Sequence, residues 1–155
     1  GYDGAVVLEP FYKFGGEQGH NMRMWRDLDK DLSMENRLRI AEQGIEYIKN
    51  GISICIFPEG TRNRNKDELD MLPFHEGSFK IATKANCPII PIAISNSANI
   101  FEAHFPKISP AKVVVEYGKP IYPDELSKED KRHVGEYTQN VIREMLIKNK
   151  PLTEK

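Results

Sequence analysis

Residues 52–57, Ile52-Ser53-Ile54-Cys55-Ile56-Phe57, form an apolar run held between Gly51 and Pro58. A run of this length between two breakers reads as a buried strand. Pro58 has no N–H for a ladder, so the strand has to stop there. A carboxylate, a glycine, a hydroxyl and a guanidinium follow at once: Glu59, Gly60, Thr61 and Arg62. Open α/β sheets bind ligands at the carboxyl ends of their strands. Gly60 permits close backbone approach, and the planar fork of Arg62 suits a phosphate. The same spacing fits a surface turn closed by a Glu59–Arg62 ion pair, which contributes little.

The pattern around this strand alternates helix and strand. Ser33 is placed to cap a helix over 34–49, in which Leu38, Ala41, Ile45 and Ile48 repeat on one face and Asn50-Gly51 marks the stop. Residues 63–70 are polar and read as an exposed loop; Arg64 and Lys66 either add charge beside Arg62 or are simply solvated. Pro73-Phe74 leads into a helix from Gly77 to about Ala85 that turns Phe79, Ile81 and Ala82 inward. His75 reads as a loop residue ahead of that helix rather than as a base, and His133 as surface. Further buried strands are predicted over 89–94 and 112–117, the latter closed by Gly118-Lys119-Pro120-Ile121-Tyr122-Pro123. Ser127 and Asp130 resemble a capping box for a last helix to about residue 148, with Val134, Tyr137, Val141 and Met145 as its inner stripe and 151–155 as a frayed tail. Such alternation predicts an α/β fold, a mainly parallel sheet of 52–57, 89–94 and 112–117 flanked by helices.

At 155 residues and 17.8 kDa the chain reads as a single domain, 1–155. Lys and Arg total 22 against 23 Asp and Glu, so no global basic field recruits nucleic acid. Cys55 and Cys87 each adjoin an apolar strand run and read as buried free thiols in a reducing compartment. No run reaches the roughly 18 apolar residues of a membrane span. The start at Gly1 rather than Met suggests a fragment or a processed product. No G-x-S-x-G, P-loop or metal-ligand cluster is present, so the residues offer no rival site and no metal.

Phe57-Pro58-Glu59-Gly60-Thr61-Arg62 resembles the F-P-E-G-T-R signature of the glycerolipid acyltransferases, the 1-acylglycerol-3-phosphate acyltransferase family. Two further blocks agree in order, 73–82 (Pro-Phe-His-Glu-Gly-Ser-Phe-Lys-Ile-Ala) and 88–94 (Pro-Ile-Ile-Pro-Ile-Ala-Ile). The resemblance runs from about Asp29 to the last helix, and residues 1–30 match poorly. The family's N-H-x-x-x-x-D block should lie upstream. His20-Asn21 has the pair reversed, with Trp25 five residues after His20. Tyr2-Asp3-Gly4 aligns instead as the tail of that block, which would put the partner His just before Gly1 and leave Asp3 as the catalytic residue in the chain. Asp29-Lys30 is the nearest match to the second family block, where an arginine usually helps hold phosphate; a solvated charge run over 26–31 is the better reading of the pair.

The resemblance implies acyl transfer from an acyl thioester, acyl-CoA or acyl carrier protein, to the free hydroxyl of lysophosphatidate, giving phosphatidate without a separate cofactor. It implies that a His–Asp pair acts as base and that Glu59, Gly60, Thr61 and Arg62 bind the acceptor, with Arg62 on phosphate. The implied partners are a lysophospholipid, an acyl thioester and a membrane surface, and the implied place is the cytoplasmic face of a membrane. Without the histidine the second reading is a non-catalytic module that binds lipid phosphate or a partner.

Overall fold

The computed structural model describes residues 34–60, 63, 65, 67–100 and 102–154, with the backbone alone for 34–37, 40 and 102. Helix α1 spans Met34–Lys49, the bounds its apolar repeat predicts. Its end is a Schellman closure: Gly51 N–H donates to Ile48 C=O at 2.9 Å and Ile52 N–H to Tyr47 C=O at 3.0 Å. That closure needs a left-handed residue, supplied by Gly51 at φ +76. Leu38, assigned to the inner face, is 54% exposed. The contact is made six residues later by Gly44, where an added Cβ would lie 3.3 Å from both Ile54 and Ile81.

Residues 52–57 are extended and Ile54 is buried, but Cys55 alone of them is assigned a bridge, so no strand is assigned there among the described residues. Helix α2, Glu76–Ala85, buries Phe79, Ile81 and Ala82 as expected and ends on Asn86 in the left-handed region. Strands β1, Ile92–Ser95, and β2, Val114–Tyr117, follow.

β1 and β2 pair antiparallel, with Ile92 opposite Tyr117 and Ser95 opposite Val114. The sequence predicts a mainly parallel sheet, and this pair corrects it. A parallel return needs a long crossover, usually a helix. The described residues between β1 and β2 supply short 3-10 turns, Ser97–Ile100 and Glu102–His104, and no crossover helix, so the chain re-enters beside the strand it left. The ladder continues past a bulge. Ile89 and Ile121 exchange N–H···O=C bonds of 2.8 Å, so three steps on one strand face four on the other. Gly118 stands just before the extra residue, its N–H donating to Pro91 C=O at 2.8 Å, and a Cβ there would come within 2.8 Å of the Pro91 ring and 3.0 Å of Met145 Sδ.

Helix α3, Val134–Thr153, covers one face of the sheet. The Ser127–Asp130 box is formed, with Ser127 Oγ donating to Asp130 Oδ2 at 2.7 Å and accepting from Asp130 N–H at 3.1 Å. It closes a 3-10 turn, Asp130–Arg132, and α3 itself starts later and runs through Pro151, past the predicted end. The core has two parts. Phe79, Ala82, Cys87, Ile89, Ile121 and Val134 form one, and Ala93, Met145 and Leu146 the other.

Candidate functional site

The apolar segment ends at Pro58 and the chain turns through Glu59 and Gly60, the latter at φ +67. Three loops then meet, each joined by a carboxylate or carbonyl that accepts a backbone N–H. Pro58 C=O accepts from His75 N–H at 2.9 Å. Glu59 Oε2 accepts from Leu72 N–H at 3.0 Å. Leu72 also accepts at its C=O from Gln139 Nε2 of α3, at 2.7 Å, so one residue links the turn to the last helix. His75 lies over Gly60, where an added Cβ would be 3.0 Å from its ring. His75 itself is exposed and precedes α2 as its N-cap, the loop position the sequence indicates.

Residues 63–70 are not the simple exposed loop their polarity suggests. Asn63 and Asn65 both donate side-chain N–H to Asp70 C=O at 2.8 Å, and Leu69 N–H donates to Asp67 Oδ1 at 3.0 Å. Glu68 Oε2 reaches the end of β1 and accepts from Asn96 N–H at 2.7 Å. Glu76 in turn accepts from Gly135 and Glu136 N–H, at 3.1 and 3.2 Å, and so caps the otherwise uncapped start of α3.

These tethers frame a cavity of about 1050 Å³. Its near end is the Cys55–Glu59 segment with the stacked pair Phe74 and Phe79, whose centroids are 6.3 Å apart. One wall is a helical stripe of α3, Thr138, Ile142, Leu146 and Lys150, and another the strand carrying Ile90, Ile92 and Ile94. The far rim is the turn after β1, from Asn96 to Asn99. Apolar walls interspersed with Glu59, Asn63, Thr138 and Lys150 suit an amphiphile better than a small polar solute.

Glu59 lines the cavity with its carboxylate engaged by Leu72 N–H, while Gly60, the next residue in the turn, is not among the lining residues. Thr61, Arg62, Arg64, Lys66, Asp29, Lys30 and Asp3 lie outside the described residues, as do His20, Asn21, Trp25 and the Ser33 cap. Thr138 was not singled out from the sequence. It is 3% exposed, lines the cavity, and its Oγ1 has no hydrogen-bond partner among the described residues. Its signal was present as the i, i+4 register with Ile142 and Leu146. Burial raises the pKa of both free thiols, Cys55 and Cys87, which keeps them protonated and poorly nucleophilic. Among the described residues no group of three His, Cys, Asp or Glu is placed to hold a metal.

The Acyltransferase family model matches residues 8–95, more than half of the chain and the whole segment from α1 to β1. The chain belongs to that acyltransferase family. It is 32% identical over 120 residues to the 1-acyl-sn-glycerol-3-phosphate acyltransferase of Saccharomyces cerevisiae, covering 77% of this chain and 38% of that protein. It is 31% identical over 119 residues to the Escherichia coli protein of the same name, covering 77% and 46%. Among solved structures it is similar to the 1-acyl-sn-glycerophosphate (LPA) acyltransferase PlsC from Thermotoga maritima, with a TM-score of 0.59 and 27% identity over 71% of this chain and 44% of that one. The chain thus spans less than half the length of these relatives. The acyltransferase resemblance carried by 57–62, 73–82 and 88–94 is borne out at the level of the family.

Proposed function

We propose that this acyltransferase domain transfers an acyl chain from a thioester to the free hydroxyl of lysophosphatidate, giving phosphatidate. The observation that carries the reading is that Glu59, in the turn after Pro58, lines one cavity together with the apolar side chains of Phe74, Phe79, Ile90 and Ile92. The names of the relatives support the acceptor. The acceptor hydroxyl attacks the thioester carbonyl directly, its proton passes to a base, the C–S bond breaks, and the thiolate leaves with a proton as a thiol. A base contributes about 10²–10⁴ in rate and a fixed acceptor supplies the orientation. By the family's motif the base is a His–Asp pair in which Asp3 is the carboxylate, and Arg62 holds the acceptor phosphate. The donor is acyl-CoA or acyl carrier protein, with no further cofactor.

The substrates place the reaction at a membrane surface, on its cytoplasmic side. No helix among the described residues is long and apolar enough to cross a bilayer, so attachment through them is peripheral. The test is Arg62→Ala assayed with acyl-CoA and lysophosphatidate. Loss of a charge-assisted contact should weaken acceptor binding by about 10–150-fold, with Arg62→Lys recovering only part. Equal affinities for wild type and Arg62→Ala would sink the phosphate assignment. Tight acceptor binding with no turnover, even with the upstream segment present, would favour a lipid-phosphate-binding module instead.

A further inference from the structure

The segment that leaves β1 and returns to β2 is closed on itself twice. Asn96, at φ +68, turns the chain out of the sheet and its Nδ2 donates to Lys112 C=O at 2.9 Å, clamping the two stems. Further out, Ser109 N–H donates to Ile100 C=O at 2.9 Å, and Lys107 N–H to His104 C=O at 2.8 Å. The result is an Ω-like projection with fixed ends rather than a loose connection. Its tip is apolar. Ile108 is 78% exposed and Phe105 72%, the two most exposed large hydrophobic side chains among the described residues, and Ile100 is 40% exposed. Because Ser109 is bonded to Ile100, all three side chains belong to one small projection.

Scattered exposed hydrophobics need no explanation, but a cluster at the end of a braced loop does. The charge pattern indicates the occupant. Lys107 lies between Phe105 and Ile108, and Lys112 stands at the stem, against one acid, Glu102, in a chain whose net charge is −1. An aromatic, an aliphatic and an intervening cation on a rigid tip match the boundary between headgroups and acyl chains, where rings sit and lysines reach the phosphates. The same loop has a second job. Ser97, Ala98, Asn99 and Ala103 line the cavity, so the loop that carries the apolar tip also forms part of the cavity wall.

We infer that the tip over 105–109 is the element by which this domain docks on an anionic bilayer. Phe105 and Ile108 enter the leaflet, Lys107 meets lipid phosphate, and the cavity opens where an amphiphilic acceptor can enter without crossing water. The inference deepens the proposed function and rests on its lipid acceptor.

The test measures co-sedimentation of the 155-residue chain with phosphatidylcholine–phosphatidylglycerol vesicles, neither lipid being the acceptor, so binding is read independently of catalysis. Wild type should bind. Phe105→Ser with Ile108→Ser should lower the vesicle partition coefficient by about 10–100-fold with unchanged circular dichroism. Lys107→Gln should weaken binding only on the anionic vesicles and reduce its salt dependence. Phe105→Trp covers the case in which the double variant misfolds. Its emission, after subtraction of the single native tryptophan, Trp25, should shift blue and be quenched by brominated acyl chains. No binding by wild type, equal binding by the double variant, or an unquenched Phe105→Trp would overturn the inference. So would a change in oligomeric state of the double variant without vesicles, which would make the tip a contact between copies of the chain. Vesicle docking without acyl transfer, by a chain that carries the upstream His as well, would count against the proposed function alone, and transfer to a monomeric short-chain acceptor without docking against the loop alone.

Discussion

Leu72 is the residue through which the turn after Pro58 is held, since its N–H is taken by Glu59 and its C=O by Gln139. A part-buried N–H left without an acceptor costs free energy, and bonds to charged acceptors are the stronger kind. Glu59→Ala should therefore lower stability by about 1–2 kcal/mol, whereas Glu59→Gln, which keeps a carbonyl oxygen, should cost well under half of that. Urea unfolding midpoints of the two variants check this, and equal losses would mean that the Leu72 bond is not what Glu59 contributes. The sequence offered Arg62 as the partner of Glu59, and Arg62 lies outside the described residues. What the sequence left unread is the bond to Leu72. A backbone N–H thirteen residues away carries no side-chain label, so no spacing rule points to it. The chemistry-bearing residue types were legible in the motif; the groups that hold them in place were not.

Helices were the legible elements, because their caps and apolar periods are local. α1 matches its predicted bounds, and α2 starts one residue before the predicted Gly77. Strand direction was not legible, since it depends on whether the segment after β1 crosses over or turns back, and that segment carries neither helical periodicity nor a two-residue turn. The start of α3 was misread for a related reason: the local box at Ser127 is real, but the cap of α3 is Glu76, 59 residues earlier. β2 is fastened to α3 by Glu116, which accepts from Lys148 and, at 2.8 Å, from the Nδ2 of buried Asn149. The Lys148 bond, then the Asn149 bond, hold the Glu116 carboxyl below its ordinary value of about 4.5. A folded-state pKa below the unfolded one gives stability that is complete above the ordinary carboxylate range and is lost as pH falls through the folded value. Wild type should thus exceed Glu116→Gln in stability at neutral pH, with the gap shrinking below about pH 4.5 and closing at lower pH. Added salt should narrow the neutral-pH gap, since the Lys148 side chain is 65% exposed. Chemical denaturation of both proteins across this pH range measures it, and a gap that widened on acidification would reverse the sign argued here.

Over the whole molecule, the cavity joins parts of the chain far apart in sequence: the Cys55–Glu59 segment, the strand from Ile89 to Ile94, and one stripe of α3. Thr138 is the point where that assembly holds a polar group it does not satisfy. An interior hydroxyl without a partner costs about 1–3 kcal/mol, and replacing it by a methyl of similar shape removes the cost. In the ligand-free protein, Thr138→Val should therefore raise stability by about 1 kcal/mol, read as a higher urea midpoint at unchanged slope. If the hydroxyl serves instead as a hydrogen-bonding point for the bound amphiphile, the same variant should bind lysophosphatidate about 5–10-fold more weakly. The two readouts move in opposite directions only for a residue whose polarity is kept for a ligand. A variant that is more stable and binds equally well would leave Thr138 as packing alone, and one that is less stable would show that its hydroxyl has a partner within the fold.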